Sequence, residues 1–213
     1  MKKLIVALDV SEKEKALSLV RELSPYADIF KVGPILFIKE GKEIVKSIKD
    51  LGKEVFLDLK FHDIPATVQR AVESARDIGV YSLTLHSEGG KEMMCAASSV
   101  PGRPKLWAVT VLTSQKAKPE DVVKRAKLAK DAGINGVIAS PLEIEEIRKA
   151  CGKDFSVVTP GIRIQETQDD QKRVATPLSA VKAGADFIVV GRPIIEDSNP
   201  AEIAKRISEE IER

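Results

Sequence analysis

The chain has 213 residues, 43% hydrophobic and 31% charged, and its 34 Lys and Arg against 32 Asp and Glu leave a formal net charge of +2. That composition excludes a disordered chain, and the length suffices for one sizeable core. The near-balance of charge, with no long basic run, argues against a nucleic-acid or membrane-surface binder, and no stretch is long and apolar enough to span a bilayer.

The first element is read from "MKKLIVALDV". Its apolar run is short, stops at Asp9 and is followed by no small-residue cleavage site, so it predicts a buried strand rather than a secretory signal. Apolar, β-branched runs then recur at 28–33, 54–59, 81–86, 106–112, 136–140, 155–160 and 187–191, making eight with the first at 4–9. Most are nearly continuous in apolar character, as parallel strands covered by helices are. Amphipathic stretches separate them, with legible starts. Ser11 with Glu14 and Ser140 with Pro141 and Glu143 fit capping boxes, while Thr176-Pro177 and Asn199-Pro200 with Glu202 open two further helices. Gly52, Gly79, Gly133, Gly152 and Gly184 mark the stops. Eight βα units predict a single (β/α)8 TIM barrel domain over 1–213, of class α/β, with an open doubly wound sheet as the alternative. Cys95 and Cys151, the only cysteines, are expected to be reduced and unbridged in a cytoplasmic protein.

In such a barrel the chemistry sits at the C-terminal ends of the strands. Asp9 ends the first strand and Lys31 nears the end of the second. Asp58 and Lys60 end the third, with Asp63 in the loop after it. Thr84 and His86 end the fourth, Thr113 and Ser114 follow the fifth, Arg163 follows the seventh, and Gly191 and Arg192 follow the eighth. Asp58 and Lys60 are two apart, so they project from one face of a strand, and Lys31 from the adjacent strand can reach them. Stability alone is a weak reason to keep such a cluster, because apolar replacements are often neutral or better. An alternating Lys31, Asp58, Lys60, Asp63 row therefore points to chemistry. "TPGIR" and "VGRPI" supply glycines for close backbone approach and arginines for bidentate contacts, in the loops that usually bind phosphate. The polar stretch 160–177 is long for a compact chain and is expected to close over a bound phosphate, with Gln171 contributing a hydrogen bond. His62 and His86 form no close ligand set, so no metal is expected.

The decapeptide "DLKFHDIPAT" (58–67) resembles the signature of the orotidine 5′-phosphate decarboxylase family, bacterial type. The resemblance runs the length of the chain through "LIVALDV", "FKVG", "LTS", "TPGIR", "DQKR" and "IVVGRPI", in that order. It implies a cofactor-free carboxy-lyase that turns orotidine 5′-phosphate (OMP) into UMP and CO2 in pyrimidine biosynthesis, working as a cytoplasmic homodimer with shared active sites. It further implies that Asp9 and Lys31 hold the ribose hydroxyls, that Asp58 lies beside the substrate carboxylate, and that Lys60 donates the proton to C6. Asp63 and Thr67 would belong to the segment shared with the partner subunit. Thr113 would contact the base, and Arg163, Gln171, Gly191 and Arg192 would grip the phosphate. The alternative is a Mg-dependent sugar-phosphate decarboxylase or hexulose phosphate synthase-like enzyme with the same Asp-x-Lys-x-x-Asp core. Ile64, Pro65 and Thr67 after that core speak for the nucleotide enzyme. A non-catalytic phosphometabolite-binding barrel is the reading from a different class.

Overall fold

A computed structural model describes residues 2–112, 117–163 and 175–212. The described residues contain a closed barrel of parallel strands in the order β1-β2-β3-β4-β5-β6-β7-β8. The strands are β1 (Leu4–Ala7), β2 (Ile29–Val32), β3 (Glu54–Phe61), β4 (Ser82–His86), β5 (Lys105–Val109), β6 (Gly136–Ile138), β7 (Ser156–Thr159) and β8 (Phe187–Val190). All eight lie within or next to the predicted runs, and β8 pairs with β1 through Ile188↔Leu4 and Val190↔Val6, which rules out the open sheet. Around them are α1 (Lys13–Leu23), α2 (Pro34–Glu40), α3 (Lys42–Asp50), α4 (Pro65–Ile78), α5 (Gly90–Ser98), α6 (Pro119–Asp131), α7 (Ile144–Cys151), α8 (Pro177–Ala183), α9 (Arg192–Ile195) and α10 (Pro200–Ile211).

Two apolar layers hold this together. Between barrel and helices lies a continuous cluster that includes Leu4, Val6, Phe30, Val55, Leu83, Leu106, Val157 and Ile188. Inside the barrel, Ile5, Ala7, Ile29, Phe56, Trp107, Val109, Ile138, Val158 and Val189 pack as a second cluster. The alternation of inward and outward side chains along each strand divides one sequence run between the two layers. Trp107 fills the interior, its ring 4.7 Å from Phe56 and 5.7 Å from Phe187. Facing it in the ladder is Gly136, where an added Cβ would lie 2.3 Å from the backbone oxygen of Ser156. Glycine there lets β6 and β7 approach while the interior keeps the indole. The barrel interior is thus packed by this cluster, and its cavity opens toward the C-terminal ends.

The helix signals divide. Thr176 accepts from the Ser179 amide and Asn199 from the Glu202 amide, as expected of N-caps. Ser140 does cap, but through the Leu142 amide at the head of a 3-10 turn over Pro141–Glu143. The Ser11–Glu14 box is not formed. α1 begins at Lys13 with Glu12 as its cap residue, which displaces both side chains from capping-box positions. Gly79 and Gly184 end α4 and α8 in the left-handed region at φ 80° and 110°. Cys95 and Cys151 are free thiols. No helix among the described residues is long and apolar enough to cross a membrane.

Candidate active site

The C-terminal end of the barrel opens into a cavity of about 230 Å³. Its wall contains Asp9, Lys31, Asp58, Lys60, Arg163, Gly191 and Arg192, seven of the residues singled out in the sequence, and its apolar floor includes Phe56, Val109, Ile138 and Val189.

The charges form one row. The Lys31 ammonium donates to Asp9 Oδ1 at 2.9 Å and stands 3.6 Å from Asp58 Oδ2. The Lys60 ammonium donates to the same Asp58 oxygen at 2.8 Å. Adjacent parallel strands place Asp58 within reach of Lys31, since Lys31 pairs with Phe56 in the β2–β3 ladder and Asp58 is one inward position further on. Asp58 is buried, at 8% exposure. Burial alone would raise its pKa. The opposing charges of Lys31 and Lys60, with hydrogen bonds from Lys60 and Thr84, more than offset this and hold the carboxyl below its ordinary value. Asp58 is therefore an anion at neutral pH, between two cations.

The same-face argument for Asp58 and Lys60 holds, but through an irregular strand. The β3–β4 ladder passes from Leu57↔Leu83 to Phe61↔Leu85, so three residues of β3 stand opposite Thr84 alone. The excess is two residues, which preserves the inward–outward phase on both sides of the bulge. Lys60 absorbs the distortion at φ 51°, alone among the described non-glycine residues in having a positive φ.

From β7 and β8, Arg163 and Arg192 reach the same cavity. Gly191 passes close to β1, and a Cβ there would lie 3.3 Å from Asp9 Oδ2 and from Ala7 Cβ. The closure of β8 on β1 thus joins the glycine-arginine rim to the charged row.

Other expected residues fall elsewhere. Asp63 and Thr67 are exposed and absent from the cavity wall, and Asp63 accepts a hydrogen bond from the amide of Ile64 at 2.7 Å. Within this chain they do not join the row. Thr113 and Gln171 lie outside the described residues, as does the 164–174 portion of the expected closing loop. His62 is exposed, with its ring 5.7 Å from that of His86. Burial, then the charge of His62, pushes the His86 imidazole below its ordinary value. Among the described residues no group of three or more His, Cys, Asp or Glu side chains could hold a metal ion.

Two features escaped the sequence reading. The apolar floor was detectable, because Phe56 is in phase with Asp58 and Lys60, and Val109 with Trp107. The hydroxyl of Thr84, which bonds both to Asp58 and to the Lys60 backbone, carries no sequence signal beyond its place at a strand end.

Comparison with known proteins agrees with this geometry. The profile of the family described as "Orotidine 5'-phosphate decarboxylase / HUMPS family" matches residues 2–207. An orotidine 5′-phosphate decarboxylase of Geobacter sp. (strain M21) is 48% identical, over 99% of this chain and 96% of that protein. One from Pasteurella multocida (strain Pm70) is 46% identical, over 97% and 96%. The crystal structure of the orotidine 5′-phosphate decarboxylase from Lactobacillus acidophilus superposes with a TM-score of 0.84 at 36% identity, covering 100% of both chains.

Proposed function

The chain belongs to the orotidine 5′-phosphate decarboxylase / HUMPS family, and we propose that it is a carboxy-lyase converting OMP to UMP and CO2 in pyrimidine biosynthesis. The observation that carries this reading is the alternating row Asp9–Lys31–Asp58–Lys60 in the wall of an apolar-floored cavity that Arg163 and Arg192 also line. The row suits charge that appears during reaction, and the arginine rim suits a phosphate dianion. The sugar-phosphate alternative is not favoured, because the relatives matched over nearly the whole chain carry the OMP decarboxylase name.

In the proposed mechanism the phosphate lies against Arg163, Arg192 and the Gly191 backbone, with Gln171 as a further phosphate contact and Thr113 as a contact to the base. Asp9 and Lys31 hold the ribose hydroxyls. The bond from C6 to the carboxylate carbon then breaks, CO2 leaves, and the electron pair remains on C6. No electron sink is attached to that carbon, so the fixed ammonium of Lys60 stabilises the developing charge. Lys60 next transfers a proton to C6 and is reprotonated from solvent before the following cycle. Asp58 aims the Lys60 and Lys31 side chains, and its own negative charge beside the substrate carboxylate favours departure of CO2. Binding energy from the remote phosphate supports the chemical step rather than binding alone.

The same reading makes the enzyme a cytoplasmic homodimer of single barrel domains, with Asp63 and Thr67 completing the neighbour's site. Asp63 is absent from the wall of its own cavity and is followed by Ile64, 66% exposed, an apolar side chain that a partner subunit would cover. Free thiols suit a reducing compartment. The test is the fall in absorbance of OMP on addition of enzyme, with and without excess EDTA. We expect turnover unchanged by EDTA. Binding without turnover would overturn the decarboxylase reading, and loss of activity in EDTA would point to the metal-dependent branch.

A further inference from the structure

Thr84 points into the barrel from β4, is fully buried, and contributes nothing to the cavity wall. Its hydroxyl oxygen accepts the Lys60 amide at 2.9 Å and lies 2.8 Å from Asp58 Oδ1. A backbone N–H can only donate and an ionised carboxylate can only accept, so the single hydroxyl proton must point at Asp58. The remaining Asp58 oxygen takes the Lys60 ammonium at 2.8 Å. Lys60 is therefore held at both ends by one unit, its amide by Thr84 and its ammonium by the carboxylate that Thr84 orients. This closed ring of three hydrogen bonds sits at the bulge, where three residues of β3 face one of β4 and Lys60 takes its left-handed conformation.

We propose that Thr84 is a positioning residue for decarboxylation: its hydroxyl locks the bulge and the Asp58 carboxylate, so that Lys60 presents its ammonium to the reacting carbon. The proposal rests on the decarboxylase reading of the same cavity. It also accounts for part of the depressed Asp58 pKa, to which the Thr84 hydrogen bond contributes after the larger effects of burial, Lys31 and Lys60. Removing the hydroxyl while keeping the shape leaves the Lys60 amide and Asp58 Oδ1 without this partner. Lys60 can then move by a fraction of an ångström to an ångström, a displacement that costs about 10²-fold in well-organised sites.

The experiment compares wild type with Thr84→Val, which keeps the volume and loses the hydroxyl, and Thr84→Ser, which keeps the hydroxyl. Two quantities are read: kcat and KM for OMP, and the ¹³C titration midpoint of the Asp58 carboxyl in the unliganded protein. Thr84→Val should lower kcat about 10²-fold with KM within about threefold, and should move the Asp58 midpoint upward. Thr84→Ser should return both to near wild type. A Thr84→Val enzyme with wild-type kcat and an unmoved midpoint overturns the proposal, as does a Thr84→Ser enzyme equally impaired. If wild type does not consume OMP, the decarboxylase reading fails, whereas the Asp58 titrations still decide whether Thr84 holds the carboxylate. Should Thr84→Val not fold, Thr84→Ala replaces it. If neither folds while Thr84→Ser does, the hydroxyl serves folding and the proposal falls.

Discussion

Lys60 occupies a backbone conformation that costs a non-glycine residue on the order of 1–3 kcal/mol, with φ at 51°. Strain of this kind persists only where the surroundings over-determine it, and here the amide and the ammonium are both tied. The strain and the proposed proton donor coincide in one residue, which ties backbone distortion to chemistry. Lys60→Ala keeps the backbone problem and removes the ammonium. Its kcat for OMP should fall by at least about 10²–10⁴-fold, the span general acid catalysis contributes, while affinity for UMP, measured by calorimetry, stays close to wild type. Retention of a tenth of the wild-type kcat would remove Lys60 from the role. The residue types at 31, 58 and 60 were legible in the sequence, because alternating charge at an apolar strand end has few structural uses. The left-handed turn at 60 was not, because it depends on register against a strand more than twenty residues away.

At the level of elements, the strands are stitched at the end opposite the cavity by a recurring device. The residue just before each even-numbered strand engages a cation. Asp28 precedes β2, accepts the Lys2 amide at 2.9 Å and pairs with Lys53. Tyr81 precedes β4 and carries the Lys105 ammonium over its ring at 5.3 Å. Asn135 precedes β6 and accepts from the Leu106 amide and from Arg103. Asp186 precedes β8 and accepts from the Val157 amide and from Arg148. Three of the four also accept a backbone amide at or just before the start of a neighbouring strand: Lys2 ahead of β1, Leu106 in β5 and Val157 in β7. Asp186→Ala leaves Val157 and Arg148 without that acceptor. Unfolding in urea should show a loss of about 1–2 kcal/mol, in the lower part of the range for an orphaned polar group, because the Asp186 side chain is 39% exposed. The rate per folded enzyme should be unchanged, since the change lies at the far end of the barrel. A reduced kcat with unaltered stability would contradict that division of labour between the two ends. The sequence showed the strands and the starts of α8 and α10, because periodicity and N-caps are local. It misplaced the start of α1, where the loop after Asp9 continues to Glu12 before helical geometry begins.

At the scale of the whole molecule, three exposed apolar side chains suit the proposed homodimer. Ile35 and Ile38 on α2 are 60% and 81% exposed and Ile64 at the start of α4 is 66% exposed, all following the strands that carry Lys31 and Lys60. A second copy covering this side would bury them and carry Asp63 toward the neighbour's cavity, as an isologous interface does. Mixing two inactive variants tests it. In a heterodimer of Lys60→Ala with Asp63→Ala, one site would carry both defects and the other neither. Subunit exchange at equal concentrations should therefore restore about one quarter of wild-type activity, since half of the dimers are mixed and each has one intact site. Activity that stays at the level of the separate variants would mean that each barrel works alone.

The sequence by itself determined the alternation of strand and helix, the family signature, and which charges gather at the strand ends. All of these are written in spacing along the chain. Only the tertiary structure decided that β8 closes on β1, bringing Gly191 against Asp9, and that Thr84 joins Asp58 to the Lys60 backbone across 26 and 24 positions of sequence. The reason is physical. Hydrophobic periodicity and helix capping act between near neighbours, whereas the direction of one buried hydroxyl proton is set by whichever donor and acceptor the closed barrel places around it.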